Sequence, residues 1–188
     1  WLAWEQWDKV WRIMLMTYVT MMLINNKERI NLLMVVIALS LAFYGIKGGI
    51  FVLLTGGAFR VQGPPGTFIA GNNELGLALI MTIPLLRYVQ LQVAHHSIRL
   101  SLSGVIGLAL IAIVGTHSRG ALLGLATMGL FFLLKTRNKI GAMLTLLPLG
   151  LVVLYVMPEE WFARMHTIET YEEDASAQGR LYAWKNAI

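Results

Sequence analysis

Six apolar runs alternate with short polar breaks along the chain, at 12–24, 30–46, 75–93, 98–116, 121–134 and 140–157. A helix needs about 20 apolar residues to cross the hydrocarbon of a bilayer, so the first two runs are expected to extend into their flanks. Pro84 lies inside the third run and is expected to kink it, and Pro158 ends the sixth. The pattern predicts an all-α fold, a polytopic transmembrane helical bundle of about six membrane spans. Residues 1–158 form the membrane region, and the polar residues 159–188 begin a loop region outside it.

One long polar passage interrupts this regularity. Residues 63–76 read Gly-Pro-Pro-Gly-Thr-Phe-Ile-Ala-Gly-Asn-Asn-Glu-Leu-Gly, with four Gly and two Pro in fourteen positions. Gly and Pro are the strongest local breakers of regular structure, and a loop this long within a compact protein usually has a function. Just before it, 49–57 is apolar but too short to span, and is expected to be a re-entrant or interfacial segment. Irregular backbone at membrane depth is tolerated only where protein or a wet cavity covers it, so the passage points to a cavity.

The ends of the chain differ from the middle. Residues 1–11 hold four tryptophans with Glu5, Asp8 and Lys9, the composition of an interfacial helix start. The tail carries Glu169, Glu172, Glu173 and Asp174, then Gly179-Arg180 and Trp184. The first residue is not Met, no secretory leader is evident, and the last residues read as a helix still running. The chain is therefore expected to be an internal piece of a longer membrane protein.

Charge then orients the spans. Alternate connections hold Lys27 and Arg29, then Arg87 and Arg99 around His95-His96, then Lys135, Arg137 and Lys139. An excess of Lys and Arg in short loops marks the cytoplasmic side. The connections with Arg60 and Arg119, and the tail with Arg180, then share the outer face, which in a bacterium is the periplasmic face of the inner membrane. Of the residues, 57% are apolar and 13% charged, against about 25% charged in a soluble domain. The net charge of +5 comes from basic residues scattered among loops, so it is not a nucleic-acid footprint. With no cysteine there is neither a disulfide framework nor a thiolate site.

Residues 63–67 look like the start of an ATPase phosphate loop, but Phe68-Ile69-Ala70 replaces the Lys and Ser/Thr that would reach phosphate and Mg²⁺. Nucleotide binding is rejected. Arg119 lies in Thr116-His117-Ser118-Arg119-Gly120 between two spans, with little room for a solvated loop. It is either a snorkelling arginine at a helix end or an anion clamp, since a guanidinium fork fits phosphate oxygens bidentately. Arg60 and Arg180 taken singly are solvated loop cations; with Arg119 they form a one-sided set that favours an anionic ligand. Asn72, Asn73 and Glu74 stand where the loop re-enters the membrane. Asn73 fits a helix N-cap, and a helix N-terminus aimed at a cavity also favours an anion. Glu74 suits an arginine partner or a sugar hydroxyl. His117 is a candidate general base, His95-His96 reads as a polar turn, and His166 has no assigned mechanism. No His, Asp or Glu set has metal-ligand spacing.

Three passages carry a family resemblance. One is Gly45-Ile46-Lys47-Gly48-Gly49-Ile50-Phe51, running through Gly56-Gly57 and Arg60 to Gly63-Pro64-Pro65-Gly66 and Gly71-Asn72-Asn73-Glu74; the second is Ser118-Arg119-Gly120-Ala121-Leu122-Leu123-Gly124-Leu125; the third is Asp174-Ala175-Ser176-Ala177-Gln178-Gly179-Arg180-Leu181 with Trp184. In these the sequence resembles the bacterial O-antigen ligase and polymerase family, most closely the exosortase-associated O-glycosylation ligases. The resemblance implies an inner-membrane helical enzyme that moves a glycan from undecaprenyl pyrophosphate to an acceptor hydroxyl on the periplasmic face. It implies neither nucleotide nor metal as cofactor. The implied partners are a lipid-linked glycan donor and a lipid, protein or glycan acceptor. Arg60, Arg119 and Arg180 fall on passages whose arginines hold the donor pyrophosphate, with Asn72, Asn73 and Glu74 beside them. The later histidine of these ligases has no counterpart before residue 188. The competing class is a transporter or flippase for an anionic lipid-linked glycan, which would show inverted repeats; none is evident in the six runs.

Overall fold

The computed structural model describes residues 2–136, Gly179 and residues 182–186. Among them the architecture is helical: α1 spans Leu2–Leu23, α2 Lys27–Thr55, α3 Asn72–Gln92, α4 His96–Gly115 and α5 Arg119–Lys135. Three of these, α2, α3 and α4, are long and apolar enough to cross a membrane. The apolar part of α1, Val10–Leu23, is shorter, and α5 has 17 residues. The expected sixth run at 140–157, the acidic cluster, Arg137, Lys139 and Arg180 lie outside the described residues.

The first five runs each fall on one helix, with two differences at their edges. The tryptophan-rich start and the first apolar run form one helix, α1, with Trp4, Trp7 and Trp11 exposed. The second run does not stop at Ile46. It continues as helix to Thr55, so 49–55, expected as a separate re-entrant or interfacial piece, is the last two turns of α2. Gly56, at φ 60, ends it in the left-handed conformation that favours glycine. Gly48 and Gly49, where the expected second run gives way to the 49–57 segment, sit inside α2 and face another helix.

That facing pair is the core of the bundle. Gly45 lies opposite Ala109, and Gly48 opposite Ala112; a Cβ at these positions would come 3.0 Å and 3.1 Å from the alanine methyls. At Gly49 an added Cβ would collide with the Leu108 carbonyl oxygen, and at Gly115 with the Val52 side chain. The matched pairs advance in the same direction, so α2 and α4 run parallel. Small residues permit such close backbone approach, which in lipid supplies dispersion contacts that the hydrophobic effect cannot. Gly76 faces Ala121 and Ile80 faces Gly124 in the same way, setting α3 parallel to α5.

Apolar clusters fill both ends of this frame. Val52, Val61, Leu75, Leu79, Ile80, Ile83, Ala112, Ile113, Val114 and Ala121 pack near the 56–71 loop. Ala38, Ala42, Leu86, Val89 and Leu102 pack toward the other end. There the buried Gln90 donates to the Arg99 carbonyl and the Ser103 hydroxyl and accepts from Arg87. Buried polar groups are costly unless paired, and Gln90 is paired at both ends of its amide. Tyr88 adds a hydroxyl bond to Asn31 Oδ1 at 2.6 Å, tying α3 to α2. Arg29 donates to the Leu23 carbonyl at 2.6 Å, closing the C-terminus of α1.

Gly49→Ala is expected to destabilise the bundle by about 1–3 kcal/mol through overpacking. Gly104→Ala, where nothing lies within 4 Å of the added methyl, should be neutral or gain up to about 1 kcal/mol from helix propensity. Thermal unfolding of the two variants in one detergent checks the contrast.

Candidate functional site

The alternation of helices brings four helix ends to one end of the bundle. These are the C-termini of α2 and α4 and the N-termini of α3 and α5, joined by the 56–71 loop and the three-residue turn 116–118. Each pair brings a problem. The C-termini present carbonyls and the N-termini present amides, and buried backbone groups of either kind must be satisfied.

The loop answers the carbonyls. Val61 donates its amide to the Gly115 carbonyl at 2.8 Å, and Gly57 donates to Val52 at 3.1 Å. The Asn72 Nδ2 donates to the Thr116 carbonyl at 2.9 Å. His117 Nε2 lies 3.0 Å from the Gly57 carbonyl oxygen; a carbonyl only accepts, so the ring donates and carries its proton on Nε2. The Val61 side chain fills the space left by the hydrogens of Gly48 and Gly115, with a Cβ at Gly48 only 2.8 Å from its Cγ1. The loop is itself folded: Gly63 donates to Ala70 at 3.0 Å, and the Thr67 hydroxyl to Pro64 at 2.7 Å. Gly66, at φ 77, makes the reversal between them. No Cβ fits at Gly63, which lies against the Ile69 carbonyl.

The two N-termini are treated differently. At α5 the Ser118 hydroxyl accepts from the Ala121 amide at 3.1 Å, an N-cap. At α3 the cap position is Gly71, which brings no side-chain acceptor. The expected cap at Asn73 is therefore not formed. Asn72 and Asn73 are the first two helical residues, and the Asn72 amide is spent on Thr116. Glu74 stands third in the helix with its carboxylate folded back over Gly71, where a Cβ would collide with it. A negative group there suits the positive helix end.

Of the sequence-named residues, six gather at this end. Arg60 is exposed, next to the clasped Val61; Asn73 and Glu74 are exposed; Asn72, His117 and Arg119 are half-buried. Arg119 is the first residue of α5. Arg180 lies outside the described residues. The opposite end holds Lys27, Arg29, Arg87, Arg99 and Lys135, so the basic connections and the loop end are separated by the length of the helices. Sequence reasoning missed Val61, Gly57 and Thr116 as parts of the site. The one sequence signal for Val61 is a lone aliphatic residue between Arg60 and Gln62; the carbonyls of Gly57 and Thr116 have no signal at all.

The turn is strained and dry. His117 takes a left-handed φ of 52, unusual for a residue with a Cβ, and its neighbours Thr116 and Ser118 are 0% and 2% exposed. Burial pushes the His117 imidazole below its ordinary value, and the bond to Gly57 acts weakly in the other direction. A histidine depressed in the folded state is neutral there while the unfolded chain takes up a proton first. Its contribution is thus complete above about pH 6.5 and lost as pH falls below that toward the folded value. The unfolding midpoint of the purified protein should fall between about pH 7.5 and about pH 5.5. In His117→Asn the fall should be smaller; an equal fall would assign it to other groups.

Two family models match the chain. One, described as O-Antigen ligase, covers residues 104–188, taking in most of α4, the 116–118 turn and α5. The other, described as a family of unknown function (DUF5935), covers residues 1–94, the half that contains the 56–71 loop. No curated protein and no solved structure matches. Through residues 1–94, half of its length, the chain belongs to that family of unknown function, and its residues 104–188 are O-antigen ligase-like.

Proposed function

We propose that the chain is the donor-binding part of a membrane glycan transferase that takes a glycan from undecaprenyl pyrophosphate and passes it to an acceptor hydroxyl at the periplasmic face of the inner membrane. The match of residues 104–188 to the O-antigen ligase family supports a transferase of the ligase or polymerase type. The gathering of Arg60, Arg119, Asn72, Asn73 and Glu74 at one end of the bundle supports an anionic donor there.

The chemistry follows from charge. Breaking the glycosyl–phosphate bond leaves negative charge on the pyrophosphate, and fixed cations in a water-poor site lower the barrier by stabilising it. Arg119, half-buried at the positive end of α5, is assigned to the leaving pyrophosphate together with Arg60 and Arg180. Hydrogen bonds from Val61 and Asn72 satisfy the Gly115 and Thr116 carbonyls at the end of α4, while the N-termini of α3 and α5 carry a carboxylate and a hydroxyl cap, Glu74 and Ser118. Asn73 and Glu74, exposed on the first turn of α3, are assigned to glycan hydroxyls. The acceptor is a lipid, a protein or a further glycan, and no nucleotide or metal is required by these groups. The alternative is movement of the same lipid-linked glycan across the bilayer.

The test is transfer from a lipid pyrophosphate-linked glycan by the full-length protein in liposomes, with EDTA and without nucleotide. Product is expected, and Arg119→Ala should lower the rate about 100-fold, the equivalent of about 3 kcal/mol of lost transition-state stabilisation. Transport of the donor without transfer, or an unchanged rate in well-inserted Arg119→Ala, contradicts the assignment.

A further inference from the structure

His117 sits at the junction of everything that positions the loop end, yet its Nε2 proton is committed. We infer that His117 is a positioning residue, a latch whose Nε2–H to the Gly57 carbonyl holds the 56–71 loop across the α4–α5 turn and so fixes Arg60 at the end of the bundle where Arg119 starts α5. The kinetic side of this inference rests on the proposed glycan transfer; the structural side does not.

Three hydrogen bonds clasp the loop to three consecutive residues. Gly115 accepts from Val61 at 2.8 Å, Thr116 accepts from Asn72 at 2.9 Å, and His117 reaches Gly57 at 3.0 Å. The first fixes the loop just after Arg60, the second fixes its far end, and the third fixes its start, three residues before Arg60. Removing the third leaves 56–60 held between the end of α2 and the Val61 bond to Gly115, without its own tie to the α4–α5 turn. Gly57 cannot compensate from its own side, because it offers the bond with its carbonyl and its amide is already spent on Val52.

The backbone at His117 is part of the device. At φ 52 the residue is turned so that the chain makes the α4–α5 connection in three residues while the ring points back at Gly57. Strain of this kind persists where surrounding structure holds it, and here the buried Thr116 and Ser118 do so. The Thr116 hydroxyl donates to the Ile113 carbonyl at 2.6 Å, and the Ser118 amide donates to the Thr116 hydroxyl at 3.3 Å. The same turn starts α5 at Arg119. Ring, loop and arginine are therefore set by one short segment.

A latch and a general base differ in what they leave behind when removed. Asn adopts the left-handed conformation readily, so His117→Asn retains the turn and removes the ring. Hydrogen exchange of the full-length protein in nanodiscs is expected to rise about five-fold at the Val61 amide, the scale of one lost hydrogen bond. The KM for lipid-linked donor should rise with it, while kcat keeps the wild-type dependence on pH. Unchanged exchange at Val61, with kcat reduced and its acidic limb lost, would make His117 a base and overturn the latch. A wild-type protein that transfers no glycan would sink the proposed reaction, and Val61 exchange would still decide the latch. Where the variant does not fold, ¹⁵N NMR of the wild-type ring decides instead: an Nε2–H tautomer is required, and an Nδ1–H tautomer overturns the proposal.

Discussion

The close approach of α2 and α4 is the constraint from which the rest follows. Gly45, Gly48, Gly49 and Gly115 leave out side chains where Ala109, Ala112, Leu108 and Val52 come in. In lipid there is little hydrophobic gain in bringing two apolar helices together, so such contacts depend on shape. With the seam closed in parallel, the C-termini of α2 and α4 end side by side. Two sets of helix carbonyls then need donors in one place, and the 56–71 loop is what supplies them.

The loop is thus both a cover and a scaffold. Val61 enters the same small-residue gap that lets the helices meet, and its amide caps Gly115. Asn72 caps Thr116 from the start of α3. The glycines that open this gap and the polar groups that close it are consequently parts of a single arrangement, and the arginines flank it. A membrane protein that uses charge at such a place must keep the surrounding backbone satisfied, because an unpaired group out of water costs about as much as the binding gains.

Much of this was legible in the sequence. The apolar runs located α3, α4 and α5 to within a few residues, and the Thr-His-Ser-Arg-Gly break was correctly read as a connection too tight for a solvated loop. The glycine-rich passage was legible as a loop over 63–71, where Gly and Pro break regular structure, but its last residues, 72–76, already belong to α3. The length of α2 was not legible. Gly48 and Gly49 carry the signature of a break, and only the α4 surface, distant in sequence, shows that they are contact points. The cap of α3 was missed for a related reason: Asn73 has the better capping side chain, but Asn72 is drawn to the Thr116 carbonyl and the chain turns at Gly71 instead. The His117 bond could not have been read at all, since its acceptor is a backbone atom sixty residues away.

The central claim is that this end of the bundle recognises a pyrophosphate. The most direct measurement is binding of undecaprenyl pyrophosphate and of undecaprenol, which shares the chain and lacks the phosphates, to the full-length protein in nanodiscs. Much tighter binding of the pyrophosphate, weakened toward the alcohol by Arg119→Ala, is the predicted result. Equal affinity for the two lipids would mean that the arginines at the loop end serve the membrane surface, and would contradict the claim.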